Sequence, residues 1–162
     1  MPTAKPLDKI VDWLAYYLSN RYPKAVAIVK PTTHQTVAEF ISRNNLSRYF
    51  PDRAMFQVIV DVCGVSLSES TDRAILAIVK FCNNAITLND CLIFKGYAQI
   101  VHPHHAFIIS PKGWTPSLHR LVRDFKRVDI LEYAPGKLVV VAKWDHLSNS
   151  VRPGDVLLHG VF

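Results

Sequence analysis

The chain has 162 residues, of which 49% are apolar and 20% are charged, and its formal net charge is +6 at neutral pH. This composition excludes a disordered segment, and the length suits a single compact domain over residues 1–162. No apolar run reaches the roughly 18–20 residues that a membrane span needs, and the N-terminus lacks the apolar stretch of a secretory signal, so we expect an intracellular, cytoplasmic protein without a membrane partner.

The first third of the chain carries the patterns of three secondary-structure elements. Apolar residues at helical spacing, with charged residues on the other side, predict an amphipathic helix, and a short continuous apolar run then predicts a strand. A second, shorter helix and a turn signal follow. These elements are expected as a helix from Leu7 to about Tyr22, a strand from Ala25 to Val29, a helix from Thr36 to about Leu46 and a turn at Phe50-Pro51-Asp52.

Two β-like runs come next, from Met55 to Cys63 and from Ala74 to Cys82. The polar stretch from Ser66 to Arg73 joins them and is short enough for an antiparallel hairpin. Both runs are nearly continuous in apolar residues, so we expect both faces of these strands to be covered. The only charges inside the runs are Asp61 and Lys80.

The remaining elements alternate between helix and strand. The first is a helix that Thr87 caps and that ends at His102-Pro103, with apolar positions at Leu88, Cys91, Leu92 and Ala98. A strand from Ala106 to Ser110 and an amphipathic helix over 116–127 follow. The last elements are a strand from Lys137 to Ala142 and a tail with an apolar stretch from Val156 to Leu158. This order predicts an α/β fold in which helices flank a mixed central sheet.

Asp61 and Lys80 are the candidate active-site residues of this sequence. A charge inside an apolar strand costs free energy unless it is paired, hydrated at a cleft or bound to a metal. If the hairpin forms, the two side chains lie on adjacent strands and could neutralise each other as an ion pair. The alternative is a site for a divalent metal, in which the carboxylate holds Mg²⁺ and the ammonium positions the attacking water.

Four short segments stand in a characteristic order: Val58–Val65 around Asp61, Ala77–Phe81 around Lys80, Gly96–Gln99, and Phe107–Gly113. They resemble the PD-(D/E)XK nuclease superfamily, which includes many restriction and repair endonucleases. The first two are similar to the strands that carry the metal-binding aspartate and the catalytic lysine, and the other two to the following helix and strand. The resemblance implies a restriction endonuclease-like αβββαβ core at about 7–110, with a C-terminal helix and strands at 111–162.

The resemblance implies a Mg²⁺-dependent nuclease with Asp61 as the metal ligand and Lys80 as the residue that assists the nucleophile. The family places a second acid two residues before the lysine, where this chain has Ile78. Glu39 or Asp52 could replace that acid, and Asp52 forms a literal Pro-Asp pair that competes with Asp61 for the first-acid role. An active nuclease and an inactive nuclease-fold module, binding nucleic acid or a protein partner, therefore both stay open.

The positive charge is concentrated in residues 95–127, which hold six basic side chains and one acidic side chain, a net charge of +5. A localised basic surface favours a polyanionic partner, and the resemblance favours DNA over RNA. A solvated basic face is the alternative. The side chains that we expect to contact phosphates are Lys112, His119, Arg120, Arg123, Lys126 and Arg127.

The histidines could offer imidazoles to a metal ion, but a surface position explains them as well, and the cysteines lack the spacing of a zinc site. His102, His104 and His105 are expected at a surface turn between a helix and a strand. The three cysteines are odd in number, lack a CxxC pair and lie in apolar surroundings, which is typical of free thiols in a reducing compartment. A third function class is a small assembly protein whose apolar C-terminal strands pair with another subunit, as in a homodimer.

Overall fold

The computed structural model describes residues 6–22, 25–31, 36–51, 57–68, 73–110, 112, 115, 137–145, 150–151 and 158–161. The chain is organised as two compact units, Met1–Ile78 and Val79–Phe162. The elements are α1 (Pro6–Arg21), β1 (Ala25–Pro31), α2 (Val37–Arg43), β2 (Val62–Ser68), β3 (Ala74–Phe81), α3 (Leu88–Val101), β4 (His105–Ser110), β5 (Lys137–Asp145), β6 (Ser150–Val151) and β7 (Leu158–Val161). The predicted α/β class is confirmed, and the single domain stays a prediction.

In the first unit, α1 packs against β1 and β2. The helix ends at Arg21, close to the predicted end, and its inner side buries Ile10, Trp13, Leu14 and Leu18. Gly64 of β2 lies directly beneath this side, because a Cβ built on it would be 2.8 Å from Leu14 Cδ2 and 3.0 Å from Leu18 Cδ1. The glycine therefore allows the helix to approach the strand closely.

In the first unit, β1, β2 and the part of β3 up to Ile78 are neighbours in the sheet in that order. β1 and β2 are antiparallel, with Ala25 opposite Ser68 and Pro31 opposite Val62. The Ser68 N–H donates to the Arg73 carbonyl at 3.0 Å, across the predicted hairpin connection. Buried residues are continuous from Ile75 to Val79 in β3, so the prediction that both faces are covered is confirmed for the second apolar run. It is wrong for the first run, because Ile59 is 52% exposed between the buried Val58 and Val60.

α2 is shorter than predicted. Its N-cap is Thr36, whose Oγ accepts a hydrogen bond from the Glu39 N–H at 3.1 Å. The helix ends at Arg43 and does not continue to Leu46, because Asn45 takes a left-handed backbone conformation with φ 56°. Asparagine tolerates this conformation better than most residues, which stops the helix at this point.

The second unit contains the parallel pair β4 and β5, with Phe107 opposite Val139 and Ser110 opposite Lys143. β7 and β6 both pair antiparallel with β5. The predicted strand at 137–142 extends to Asp145. In the tail, β7 begins at Leu158, the last residue of the predicted apolar stretch, whose first two residues lie outside the described ones. The predicted helix at 116–127 lies outside the described residues.

α3 begins and ends where the sequence predicts. Thr87 and Asp90 form a capping box, since Asp90 N–H donates to Thr87 Oγ at 3.1 Å and Thr87 N–H donates to Asp90 Oδ2 at 2.9 Å. His102 closes the helix in a left-handed conformation with φ 51°. Within the part of the chain that the structure describes, no helix has the length and apolar character that crossing a bilayer requires.

The buried side of α3 differs from the predicted one. Cys91 and Ala98 are buried as expected, together with Phe94 and Val101, and the helix packs against β4 and β5. The other two predicted apolar positions, Leu88 and Leu92, are exposed. α3 is apolar on both sides, so its periodicity does not tell which side packs against the sheet.

Candidate active site

Asp61 lies immediately before β2, not within a strand as the sequence analysis predicted. The residues that precede it are hydrogen-bonded to the start of α2. Val37 N–H donates to the Val58 carbonyl at 2.8 Å, and Ile59 forms a β-bridge with Thr36. β2 starts only at Val62, where the chain joins β1. Asp61 is half-buried, at the point where a buried strand begins.

Lys80 lies in β3, one residue before the end of that strand. The five residues before it, from Ile75 to Val79, are buried, whereas Lys80 and Phe81 are half-buried. Lys80 belongs to the second unit and Asp61 to the first. Their pairing across a hairpin stays a prediction.

The position at which the family resemblance implies a second acid lies in the core. Ile78, two residues before Lys80, is fully buried and contributes to the core. Glu39 is exposed in the first turn of α2, where its carboxylate also suits the positive end of the helix dipole. Asp52 lies outside the described residues. Among the residues that the structure does describe, no three His, Cys, Asp or Glu side chains are grouped to hold a metal ion.

These positions decide how well the chain fits a Mg²⁺ ion. Mg²⁺ in nucleic acid enzymes is held by one or two carboxylates together with water and substrate phosphates. Asp61 offers one carboxylate, but the apolar Ile78 cannot supply the second one. The described residues on their own therefore do not form the ligand set that the family resemblance implies.

The ends of β3 and β4 are tied together by a small hydrogen-bond network that the sequence analysis missed. The buried Ser110 Oγ donates to the Asn84 carbonyl at 2.6 Å and accepts from the Lys112 N–H at 3.1 Å. Beside it, Cys82 N–H donates to the Ile109 carbonyl at 2.9 Å. A serine before a Pro-Lys-Gly turn was the only sequence signal for this network.

Lys112 is the one predicted phosphate-binding residue that the described part of the chain includes. Its backbone is held by Ser110, and the residue as a whole is exposed to solvent. An exposed ammonium on an anchored turn can contact a phosphate with little loss of backbone entropy. The other predicted members lie outside the described residues: His119, Arg120, Arg123, Lys126 and Arg127.

The histidines do not form the surface cluster that the sequence suggested. His102 is exposed at the end of α3, but His105 is the first residue of β4 and is buried. The His105 ring stacks on the Phe107 ring with a centroid distance of 5.8 Å. The strand alternation places these two rings on the same face, so His105 acts as a packing residue.

The cysteines are free thiols, as predicted. Cys63 and Cys91 are buried, and Cys82 is half-buried. Burial, with smaller contributions from the Asp90 carboxylate and the Cys82 thiol, raises the pKa of Cys91 from 9.0 to about 12. Cys91 is therefore protonated at neutral pH and unsuited to act as a nucleophile.

Comparison with known proteins identifies no relative: no family model, no curated protein and no solved structure matches this chain.

Proposed function

We propose that this chain is a nuclease-like protein that acts on the phosphodiester bonds of nucleic acid, with Asp61 and Lys80 at its site. The proposal rests on the position of each charge next to the buried part of a strand. Asp61 directly precedes the buried run of β2, and Lys80 directly follows the buried run of β3. A charge at such a boundary keeps contact with water while its neighbours anchor the backbone, which is typical of a site residue.

The order of elements supports the same proposal. α1, β1, β2, β3, α3 and β4 follow one another along the chain, and α2 is inserted between β1 and β2. Apart from the inserted α2, this order is the one expected for a restriction endonuclease-like αβββαβ core. The antiparallel pairing of β1 with β2 also agrees with that architecture.

The two charges suit phosphoryl chemistry in different ways. A lysine ammonium can orient an attacking water and stabilise the negative charge that builds up on the phosphoryl oxygens. A carboxylate can accept a hydrogen bond from that water or bind a divalent ion. An active, Mg²⁺-dependent form requires a second carboxylate, and Glu39 and Asp52 are the candidates.

A second candidate function is an inactive module with the same fold that binds nucleic acid. The specific observation in its favour is the full burial of Ile78 in β3. A side chain in the core cannot be replaced by an acid without burying an unpaired charge, which costs several kcal/mol. The basic segment at 95–127 would then provide the binding surface.

A cleavage assay with labelled DNA and labelled RNA, in the presence of Mg²⁺ or Mn²⁺, tests the first candidate. We expect cleavage by the native chain and a loss of about a hundredfold or more in Asp61→Asn and Lys80→Gln, because each removes a group that acts on the reacting phosphate. Asp12→Asn and Lys9→Gln are the matched controls, since they remove the same charges from α1, which lies outside the basic segment.

Binding at increasing salt concentration, measured by fluorescence anisotropy of the same nucleic acids, separates the two candidates. An inactive module binds with an affinity that falls steeply with salt but shows no cleavage with either metal. Cleavage that is equal in the native chain, Asp61→Asn and Lys80→Gln would exclude the proposed site. The absence of both cleavage and salt-sensitive binding would exclude both candidates.

A further inference from the structure

Three neighbouring strands, β3, β4 and β5, end at the same edge of the sheet. Cys82 directly follows β3, and its N–H donates to the carbonyl of Ile109, the residue before the last of β4. β4 and β5 are parallel, and Ser110 at the end of β4 lies opposite Lys143. All three strand ends belong to the second unit. We call these strand ends, with Lys143 and the loops that follow β3 and β4, the carboxyl edge.

Each of the three strands brings a lysine to the carboxyl edge. Lys80 lies one residue before the end of β3, and Lys112 lies two residues after the end of β4 and is exposed. The register of β5 places Lys143 level with the last residue of β4. The chain therefore brings together three basic residues that are far apart in its sequence.

The described residues of the second unit include two acids. The Asp90 carboxylate accepts a hydrogen bond from the Thr87 N–H in the capping box of α3. Asp145 lies two residues beyond Lys143, in the part of β5 that pairs with β6. Three lysines at the strand ends outnumber these acids, so the carboxyl edge favours an anionic ligand.

Hydrogen bonds attach the loop after β4 to the loop after β3 at two points. The buried Ser110 Oγ donates to the Asn84 carbonyl at 2.6 Å and accepts from the Lys112 N–H at 3.1 Å. Farther along, the Thr115 N–H donates to the Ile86 carbonyl at 2.9 Å. Lys112 lies between these two points. An ammonium on an anchored loop binds an anion with a smaller loss of backbone entropy than one on a free loop.

The position and spacing of the lysines indicate the shape of the ligand. Ligands of open α/β sheets bind outside the carboxyl ends of the strands. Neighbouring strands are about 4.8 Å apart, so three of them cover about 10 Å of the edge. Three consecutive phosphates of a nucleic acid strand cover about 7 Å along its axis. Lysine has a long, flexible side chain, which accommodates the difference between the two spacings.

We propose that a strand of nucleic acid crosses the carboxyl edge, with consecutive phosphates at Lys80, Lys112 and Lys143. The inference rests on the proposed function, since it takes the phosphate at Lys80 as the reacting one. It adds the path of the substrate, which runs across the ends of β3, β4 and β5 in that order. It also assigns phosphate binding to Lys143, which lies outside the basic segment at 95–127.

Binding of fluorescently labelled single-stranded DNA and RNA, without a divalent metal so that no cleavage occurs, tests this path. The measured quantity is the slope of the logarithm of the affinity against the logarithm of the salt concentration. Its magnitude should fall by about 0.7 in Lys112→Gln and in Lys143→Gln, and by about 1.4 in the double variant. The affinity should fall equally for different base sequences, because phosphate contacts carry no sequence information.

The controls separate a defined path from a general effect of charge. Lys112→Arg and Lys143→Arg keep the charge and should keep the slope. Arg73→Gln removes an exposed charge directly before β3, at the opposite end of that strand, and should also leave the slope unchanged. Inorganic triphosphate at the same phosphate concentration should not displace the oligonucleotide. Displacement would identify a small polyphosphate ligand and overturn the proposal.

The outcomes distinguish this path from the proposed function. A native chain whose salt-sensitive binding is unchanged in Lys112→Gln and Lys143→Gln overturns the path and leaves the proposed function standing. A native chain that binds neither DNA nor RNA overturns both. Equal losses of slope in Arg73→Gln and Lys112→Gln would show a general charge effect and overturn the path. Lys112 is exposed, so its variant decides the result if thermal denaturation shows that Lys143→Gln is unfolded.

Discussion

At the scale of single residues, Gly64 sets how closely α1 can approach β2. We predict that Gly64→Ala lowers the free energy of unfolding by about 1–3 kcal/mol, the usual cost of overpacking a core. The new Cβ would be 2.8 Å from Leu14 Cδ2, and both Leu14 and Leu18 are fully buried, so neither can turn aside into solvent. Urea denaturation measures the change.

The same substitution at Gly96 is the matched control for Gly64→Ala. Gly96 lies in α3 with no described atom within 4 Å of an added Cβ, so alanine there should raise the free energy of unfolding by about 0.5–1 kcal/mol. Opposite signs for the two variants are the expected result. Equal effects would mean that the close approach of α1 to Gly64 does not determine the stability of this unit.

Cys91 makes the stability depend on alkaline pH. Its pKa is about 12 in the folded chain and 9.0 in the absence of burial. Below pH 9 both states keep the proton, and at higher pH the unfolded state loses it first. The free energy of unfolding should therefore fall as the pH rises from 9 towards about 12.

Urea midpoints at about pH 8 and about pH 10 measure this effect in the native chain and in Cys91→Ala. The variant leaves a small cavity that lowers both midpoints alike, so the comparison is between the two decreases. We predict the larger decrease for the native chain. Equal decreases would show that Cys91 does not titrate differently in the folded and unfolded states.

The sequence identified Asp61 and Lys80 because charges in apolar runs are conspicuous, and both lie next to buried strands. It could not tell whether Glu39 lies near them, because the distance between a helix and a strand depends on packing that no local pattern records. Ser110 was missed for the same reason. Its partners, Asn84 and Lys112, come from two different loops.

At the scale of elements, the capping box determines the start of α3. We predict that Thr87→Ala lowers the free energy of unfolding by about 1 kcal/mol, because the Asp90 N–H loses the side-chain acceptor that lies 3.1 Å away. Thr87→Ser keeps a hydroxyl in the same place and should retain most of the stability. Thermal denaturation compares the two variants, and equal losses would contradict a capping role.

The sequence predicted most elements with bounds close to those of the structure, since helical spacing, caps and continuous apolar runs are local features. It misplaced the start of β2 by several residues. The stretch from Val58 to Val60 is as apolar as a strand, but its backbone bonds to the start of α2, and the pairing with β1 begins at Val62. An apolar run does not show which neighbour a segment packs against, nor that every side chain in it is buried, since Ile59 is 52% exposed.

At the scale of the whole molecule, the order of elements was enough to predict the α/β class. It was not enough to predict the register of β1 with β2 or the parallel pairing of β4 with β5. These depend on contacts between segments that are far apart in the sequence. The net positive charge of residues 95–127 comes from the sequence alone, and the phosphate-binding role of that segment stays a prediction.

The sequence by itself determined most element types, the cap at Thr87, and the two charges inside apolar runs, Asp61 and Lys80. Only the tertiary structure decided that Asp61 precedes its strand and that α3 buries Phe94 and leaves Leu92 exposed. The physical reason is that periodicity and capping act within about one helical turn, whereas burial depends on which distant segment supplies the opposing surface.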